Sequence, residues 1–248
     1  MGAARSRASI APVLTAAFYA RPTLVVAREL LGATIVHDSD EGHTAARIVE
    51  VEAYIGESDP GCHAAAGPTA RNRPLYEAPG HAYVYLNYGV HCLFNAVTDD
   101  EGCPAAVLLR AAEPIAGLTL MRSRRARGGA GPEDAALCQG PGNLARAFAI
   151  GLAHTRVPLT GGPLRLHAAG RHDRPVRWTP RIGLSRGGDR YWRAVLADSA
   201  SLSGTRAWNA DARLRPWPAR ATADRAGPWP PAVSGRALAP RPLRARSR

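Results

Sequence analysis

Two glutamates, Glu50 and Glu52, stand two residues apart in the run Ala46–Ile55, interleaved with apolar Val49, Val51 and Ala53. In an extended strand that spacing puts both carboxylates on one face, together with Ile48 and Tyr54. A carboxylate between such neighbours is expected to be partly desolvated, which raises its proton affinity and suits it to activating water as a general base. The residues alone leave a second reading, a salt bridge to Arg47 or to another arginine. A sugar hydrolase with paired carboxylates would draw its two acids from separate elements flanking the substrate.

A chain with only 6% aromatic residues places Tyr54, Tyr83, Tyr85, Tyr88 and His63 within 35 positions of one another. Flat rings beside a cleft suit stacking of nucleic-acid bases, worth about 1–3 kcal/mol per base; Tyr83 reads instead as a core residue. Tyr88 lies between Asn87 and Gly89, a turn position with little core to bury into, and an exposed ring there can wedge between base pairs. Arg71, Asn72 and Arg73 in a polar stretch, and Arg110 beside an apolar run, are candidate phosphate ligands. The eight histidines show no metal-ligand spacing, and Cys62–His63 and His91–Cys92 are adjacent pairs whose side chains point apart in extended chain. No metal and no cofactor are expected, and no nucleophile elbow, phosphate loop or dinucleotide fingerprint is found.

All 32 basic residues are arginine. Without lysine there is no ε-amine to form a Schiff base, which leaves only the N-terminal amine for covalent amine chemistry. A net charge of +12 and a pI near 10.6 point to a polyanionic partner, nucleic acid first. Ten of the arginines, against two aspartates, fall in residues 205–248, which also hold seven prolines and no apolar periodicity; a disordered tail is expected there. Four scattered cysteines without a C-x-x-C pair suit a reducing compartment, and no apolar run approaches the roughly 20 residues needed to span a bilayer.

The elements that must position these side chains follow from periodicity. Thr23–Leu31 reads as a short helix capped by Thr23 and stopped by Gly32. Ala33–His37 and Ala46–Ile55 read as strands, and Gly56–Pro79 as a long polar loop of the kind that is functional or disordered. His81–Leu86 and Val90–Thr98 read as a hairpin with Tyr88 at its tip. Ala105–Ala111 reads as a buried strand, Glu113–Pro114 as the start of a helix, and Asn143 as the cap of another. Weaker strand signals lie at Leu164–His167 and Tyr191–Leu196. Without regular βαβ alternation the fold class is α+β.

The segments ARELLGATIV (27–36), RIVEVEAYIG (47–56), TARNRPLYEAPGHAYVYLNYGVHCLFNAV (69–97), AAVLLRAAEPIAGLTLMR (105–122) and LCQGPGNLARAFAI (137–150), with His63 between, resemble the alkyladenine (methylpurine, 3-methyladenine) DNA glycosylase family in collinear order across residues 20–203. The resemblance implies a monofunctional base-excision enzyme that flips a damaged purine out of duplex DNA and hydrolyses its N-glycosidic bond without a metal. By motif position it implies that Glu52 is the general base, Glu50 its support, and Arg110 a holder of the catalytic water. It also implies that Tyr54, His63, Tyr85 and Asn95 form the base pocket, Asn95 crowding the amino group of guanine, and that Tyr88 is the intercalating wedge. Arg71, Asn72 and Arg73 are expected at the DNA backbone.

The expected architecture is a single domain whose mixed, largely antiparallel curved sheet is flanked by helices and carries a hairpin that enters the minor groove. An N-terminal extension (1–20), a catalytic domain (21–204) and an arginine-rich tail (205–248) are expected. The partner expected is double-stranded DNA with damaged purines (3-methyladenine, 7-methylguanine, hypoxanthine), met by a monomer in the cytoplasm at the nucleoid, with no membrane. The competing reading is a non-catalytic protein that binds damaged DNA.

Overall fold

The computed structural model describes residues 11–126, 128–170, 172–205 and 209. Apart from Thr205 and Asn209, the arginine-rich tail lies outside the described residues. Residues 11–20 pack onto the body: Val13 bridges to His167, Leu14 and Tyr19 are buried, and a short helix, α1 (Ala16–Tyr19), leads into α2 (Thr23–Leu30).

Helix α2 buries Val26, Ala27 and Leu30, the one-sided spacing expected of an amphipathic helix. Its N-cap is Pro22 rather than Thr23. The Thr23 hydroxyl instead meets Thr98 and Asp99, because the helix start is buried against the end of a strand.

Eight strands form one sheet: β1 (Thr34–Ser39), β2 (Gly42–Ile55), β3 (Ala82–Asn87), β4 (His91–Val97), β5 (Ala105–Ala116), β6 (Leu164–His167), β7 (Val176–Thr179) and β8 (Arg193–Leu196). The order is β3-β4-β5-β2-β1-β6, with β8 joining β2 to β7. Every one of these pairings is antiparallel, so the sheet is not mixed. Short reversing turns join β1 to β2 and β3 to β4 and leave no parallel crossover between them. The sheet curls into a half-barrel with few helices.

Alternation along the strands separates two faces. Val84, Phe94, Ala96, Val107, Leu109 and Ala111 enter the main core with α2, while the intervening Tyr83, Tyr85, Leu93, Asn95, Leu108 and Arg110 line a cleft. Helices α3 (Leu118–Arg125) and α4 (Pro141–Ala147) cover the core side through Met121, Leu144 and Ala147.

Strand β5 runs to Ala116, so Glu113 and Pro114 are strand residues and not a helix start. Pro114 sits beside a register irregularity opposite Ala45 and Ala46, a place where a strand tolerates a residue without an N–H. The turn into α3 falls at Gly117, whose φ is +74°; a Cβ there would lie 2.2 Å from the His43 carbonyl oxygen, so only glycine fits. Asn143 is inside α4, where Gly140 is the N-cap and Pro141 the first residue.

Candidate active site

Strand β2 is the backbone of the site, and two of the three breaks in its register against β5 fall at the glutamates. Ile48 pairs with Ala112 and Glu50 with Ala111, leaving Val49 extra; Val51 then pairs with Leu109, leaving Arg110 extra. Such irregularities re-aim side chains. Ile48 accordingly joins Val49, Val51 and Ala53 in the core, departing from the face it was expected to share with the glutamates. Arg110 reaches both carboxylates: Nε donates to Glu50 Oε1 at 2.8 Å and Nη1 to Glu52 Oε2 at 3.1 Å.

The two glutamates are both fully buried yet differ in how their oxygens are occupied. Glu50 Oε1 accepts from Arg110 Nε, Arg193 Nε (2.8 Å) and Ser203 Oγ (2.7 Å), and Oε2 accepts from the Ser203 amide (2.6 Å). Glu50 thus takes four donors, three of them crowded on Oε1 and one on Oε2. Burial opposes the charge on Glu50, but the guanidinium groups of Arg110 and Arg193 and these donors outweigh it and hold the carboxyl below its ordinary range. Glu52 Oε2 accepts from Arg110 and from the Tyr54 hydroxyl (2.8 Å), while Oε1 accepts from the Ile182 amide alone (2.7 Å). Among the described residues, one acceptor position on Glu52 Oε1 is unclaimed. Burial, then the adjacent Glu52 charge, pushes the Tyr54 hydroxyl well above its ordinary range, so Tyr54 keeps its proton and donates it.

Tyr54 and Arg110 border a cleft of about 470 Å³, and Glu52 lies directly beneath them. His63, Tyr85 and Asn95 also line this cleft. The His63 ring meets Tyr85 edge-on with centroids 4.3 Å apart, and its Nδ1 is 2.9 Å from the Tyr83 hydroxyl. Burial, followed by the nearby Arg71 charge, holds the His63 imidazole below its ordinary value of 6.5. Asn95 is buried, with Nδ2 donating to the carbonyls of Tyr83 (3.0 Å) and Leu93 (3.5 Å).

The family model of methylpurine-DNA glycosylase matches residues 17–200. This chain belongs to that family. It is therefore a DNA glycosylase, a hydrolase of base-excision repair. A relative from Methanocella arvoryzae is 46% identical over 195 residues, covering 77% of this chain and 96% of its own. One from Chlorobaculum tepidum is 43% identical over 196 residues, covering 77% and 91%. One from Rubrobacter xylanophilus is 45% identical over 191 residues, covering 73% and 97%. Each carries the name "Putative 3-methyladenine DNA glycosylase".

The structure gathers Glu50, Glu52, Tyr54, His63, Tyr85, Asn95 and Arg110 at or beneath one cleft. It adds Tyr83, which the sequence assigned to the core: the ring is buried but lines the cleft and bonds to His63. Tyr88 stands at the hairpin tip, 89% exposed, with a left-handed φ of +48°. Arg71 is exposed, with Nη2 donating to the Leu86 carbonyl, and Arg73 is exposed beside it. Asn72 lies inside: it is 2% exposed, and its amide nitrogen holds the carbonyls of His63 and Gly67, both at 2.9 Å. It braces the turn that carries His63 instead of facing a phosphate.

Arg193, Ser203, Ile182 and the buried ion pair Asp59–Arg181 were not found by sequence reasoning. Asp59, in the loop after β2, was one acidic residue among many, and the others come from the weakly patterned stretch after Gly162. Among the described residues, no three His, Cys, Asp or Glu side chains gather as a metal site requires. No described helix is long and apolar enough to cross a membrane.

Proposed function

We propose that this glycosylase excises alkylated purines, 3-methyladenine and 7-methylguanine first and hypoxanthine as a neutral substrate, by attack of a Glu52-activated water on C1′. The observation that carries this reading is the placement of Glu52: its three partners, Tyr54, Arg110 and Ile182, all line the cleft and its Oε1 takes a single donor, whereas Arg193 and Ser203, which hold Glu50, do not line it. Water bonded to Glu52 Oε1 gives its proton to Glu52 as its oxygen attacks C1′. The C1′–N bond breaks, its electron pair leaves with the purine, and a cationic alkylated base departs neutral. Arg110, fixed between the carboxylates, orients the water, and the anionic Glu52 stabilises the positive charge that develops on the sugar.

The flipped purine stacks on Tyr54 and on the His63–Tyr85 pair, whose rings are too close to admit a base between them. Asn95, locked by its own hydrogen bonds, crowds the 2-amino group of guanine, and 7-methylguanine, which keeps that group, is removed because its cationic ring is the better leaving group. The hairpin β3–β4 enters the minor groove, Tyr88 fills the space the base vacates, and Arg71 and Arg73 hold phosphates. The absence of lysine removes every ε-amine that could form a Schiff base, which supports base release without strand cleavage. The enzyme works as a monomer on DNA in the cytoplasm.

The test is release of free base from duplexes carrying each lesion, by the wild type and by Glu52→Gln. Excision lost in the variant with duplex binding retained supports Glu52 as the base. An equally active variant overturns the mechanism, and a wild type that binds but never excises overturns the reading.

A further inference from the structure

Behind Tyr54 lies an ion pair with no exposure at all. Asp59 and Arg181 are bonded side on, Nη1 to Oδ2 at 2.6 Å and Nη2 to Oδ1 at 2.7 Å. Backbone groups add to the pair: Asp59 also accepts from the amides of Ile55 and Gly61, and Arg181 donates to the carbonyls of Ala53 and Gly187, while Arg181 Nε has no hydrogen-bond partner among the described residues. The guanidinium carbon sits 4.7 Å from the centre of the Tyr54 ring and 5.1 Å from that of Trp192. Two glycines make the space. A Cβ on Gly61 would lie 2.9 Å from Arg181 Nη2, and one on Gly187, where φ is +65°, would lie 3.0 Å from the same atom.

The pair joins two cleft walls that are more than 100 residues apart in sequence. Asp59 leads into Gly61, Cys62 and His63, and Arg181 into Ile182, Gly183 and Leu184, all of which border the cleft. Ile182, immediately after Arg181, gives its amide to Glu52 Oε1, the oxygen that has the unclaimed acceptor position.

We infer that Arg181 and Asp59 are positioning residues for catalysis: the pair fixes the Ile182 amide on Glu52 and the Tyr54 ring against the guanidinium. The inference rests on Glu52 as the base. A buried pair with no exposed atom touches no DNA, so its effect is on the rate of the bound complex and not on binding. Displacing a reacting group by about an ångström costs on the order of 100-fold in rate.

The test compares the full-length wild type with Arg181→Lys, Asp59→Asn and Gly187→Ala. It measures single-turnover base release from a 7-methylguanine duplex, the Kd for that duplex, and the thermal midpoint. Arg174→Lys is the control, since Arg174 forms a comparable double ion pair with Glu113 and Asp198 away from the cleft. The three variants are expected to lose roughly 30- to 100-fold in rate with Kd within about threefold, while the control keeps its rate. Gly187→Ala, the mildest, carries the test where a charge variant fails to fold. Rates that fall only as far as the control's, or only in step with DNA affinity, overturn the inference. Variants slowed as expected while Glu52→Gln stays fully active would separate the ion pair from the Glu52 reading and overturn its stated route.

Discussion

The floor of the cleft and the tip of the β3–β4 hairpin are built on opposite principles. On the floor, Glu50, Glu52, Arg110 and Arg193 are almost wholly out of water, and each is held by several charged or hydrogen-bonded partners. At the tip, Leu86, Tyr88 and Val90 expose apolar surface, and Tyr88 occupies a left-handed backbone conformation with no packing around its ring. A buried ionic cluster is costly to assemble and strongly destabilised when one member is lost, but it fixes charges in one geometry. An exposed wedge contributes little to folding and is available for a partner. Reaction rate should therefore depend on the floor and DNA affinity on the tip.

The largest separation comes from the two carboxylates. Glu52→Gln is expected to lower excision by about 10²–10⁴, the usual worth of a general base, in a protein that still folds and binds duplex. Glu50→Gln should act mainly on folding, costing roughly 3–5 kcal/mol because Arg110 and Arg193 lose their shared counter-charge; urea unfolding of the two variants side by side checks this. If Glu50→Gln proved as stable as the wild type, the floor would not be the rigid region described.

The same contrast has a pH signature. The folded carboxyl of Glu50 titrates below its ordinary 4.5, so its contribution to stability is full above that value and is lost as pH falls through the lowered one. Urea midpoints measured from pH 7 down to pH 3 should fall in the wild type and fall less steeply in Glu50→Gln.

Tyr88→Ala tests the tip. Loss of one stacked ring is expected to raise the Kd for lesion-bearing duplex about tenfold, with unfolding free energy unchanged to within about 0.5 kcal/mol. A loss of stability instead of affinity would place Tyr88 in the fold. The smallest effect is expected at the boundary between the regions. Removing the Arg71 charge, as Arg71→Ala, should raise the His63 titration midpoint towards its ordinary value, since burial alone then opposes protonation. The imidazole NMR resonances of His63 report it.

The site was legible in sequence where side chains follow strand parity. Glu50 and Glu52, Tyr83 and Tyr85, and the hairpin with Tyr88 at its turn needed only a period of two and a turn signal. Parity failed at Ile48, because the extra Val49 in β2 resets it. Tyr83 is buried as its core reading expects and also lines the cleft beside Tyr85, where it bonds to His63. The Glu113–Pro114 signal was read as a helix start because a proline beside a strand irregularity resembles one at a helix N-terminus. Asn72 reads as a contact to the DNA backbone because nothing local reveals that two carbonyls await its amide.

By itself the sequence determined the chemistry on offer. Arginine as the sole cation, paired glutamates in an apolar strand and rings grouped around a hairpin follow from residue type and short-range spacing, which are local properties. Tertiary structure alone decided which glutamate is held by cleft-lining partners and which by Arg193 and Ser203 away from the lining. Arg193, Ser203 and Ile182 reach the carboxylates from more than 100 residues away, and Asp59 and Arg181 meet across a comparable distance. Such contacts are set by how the sheet curls and where β8 joins β2, and no local pattern encodes them.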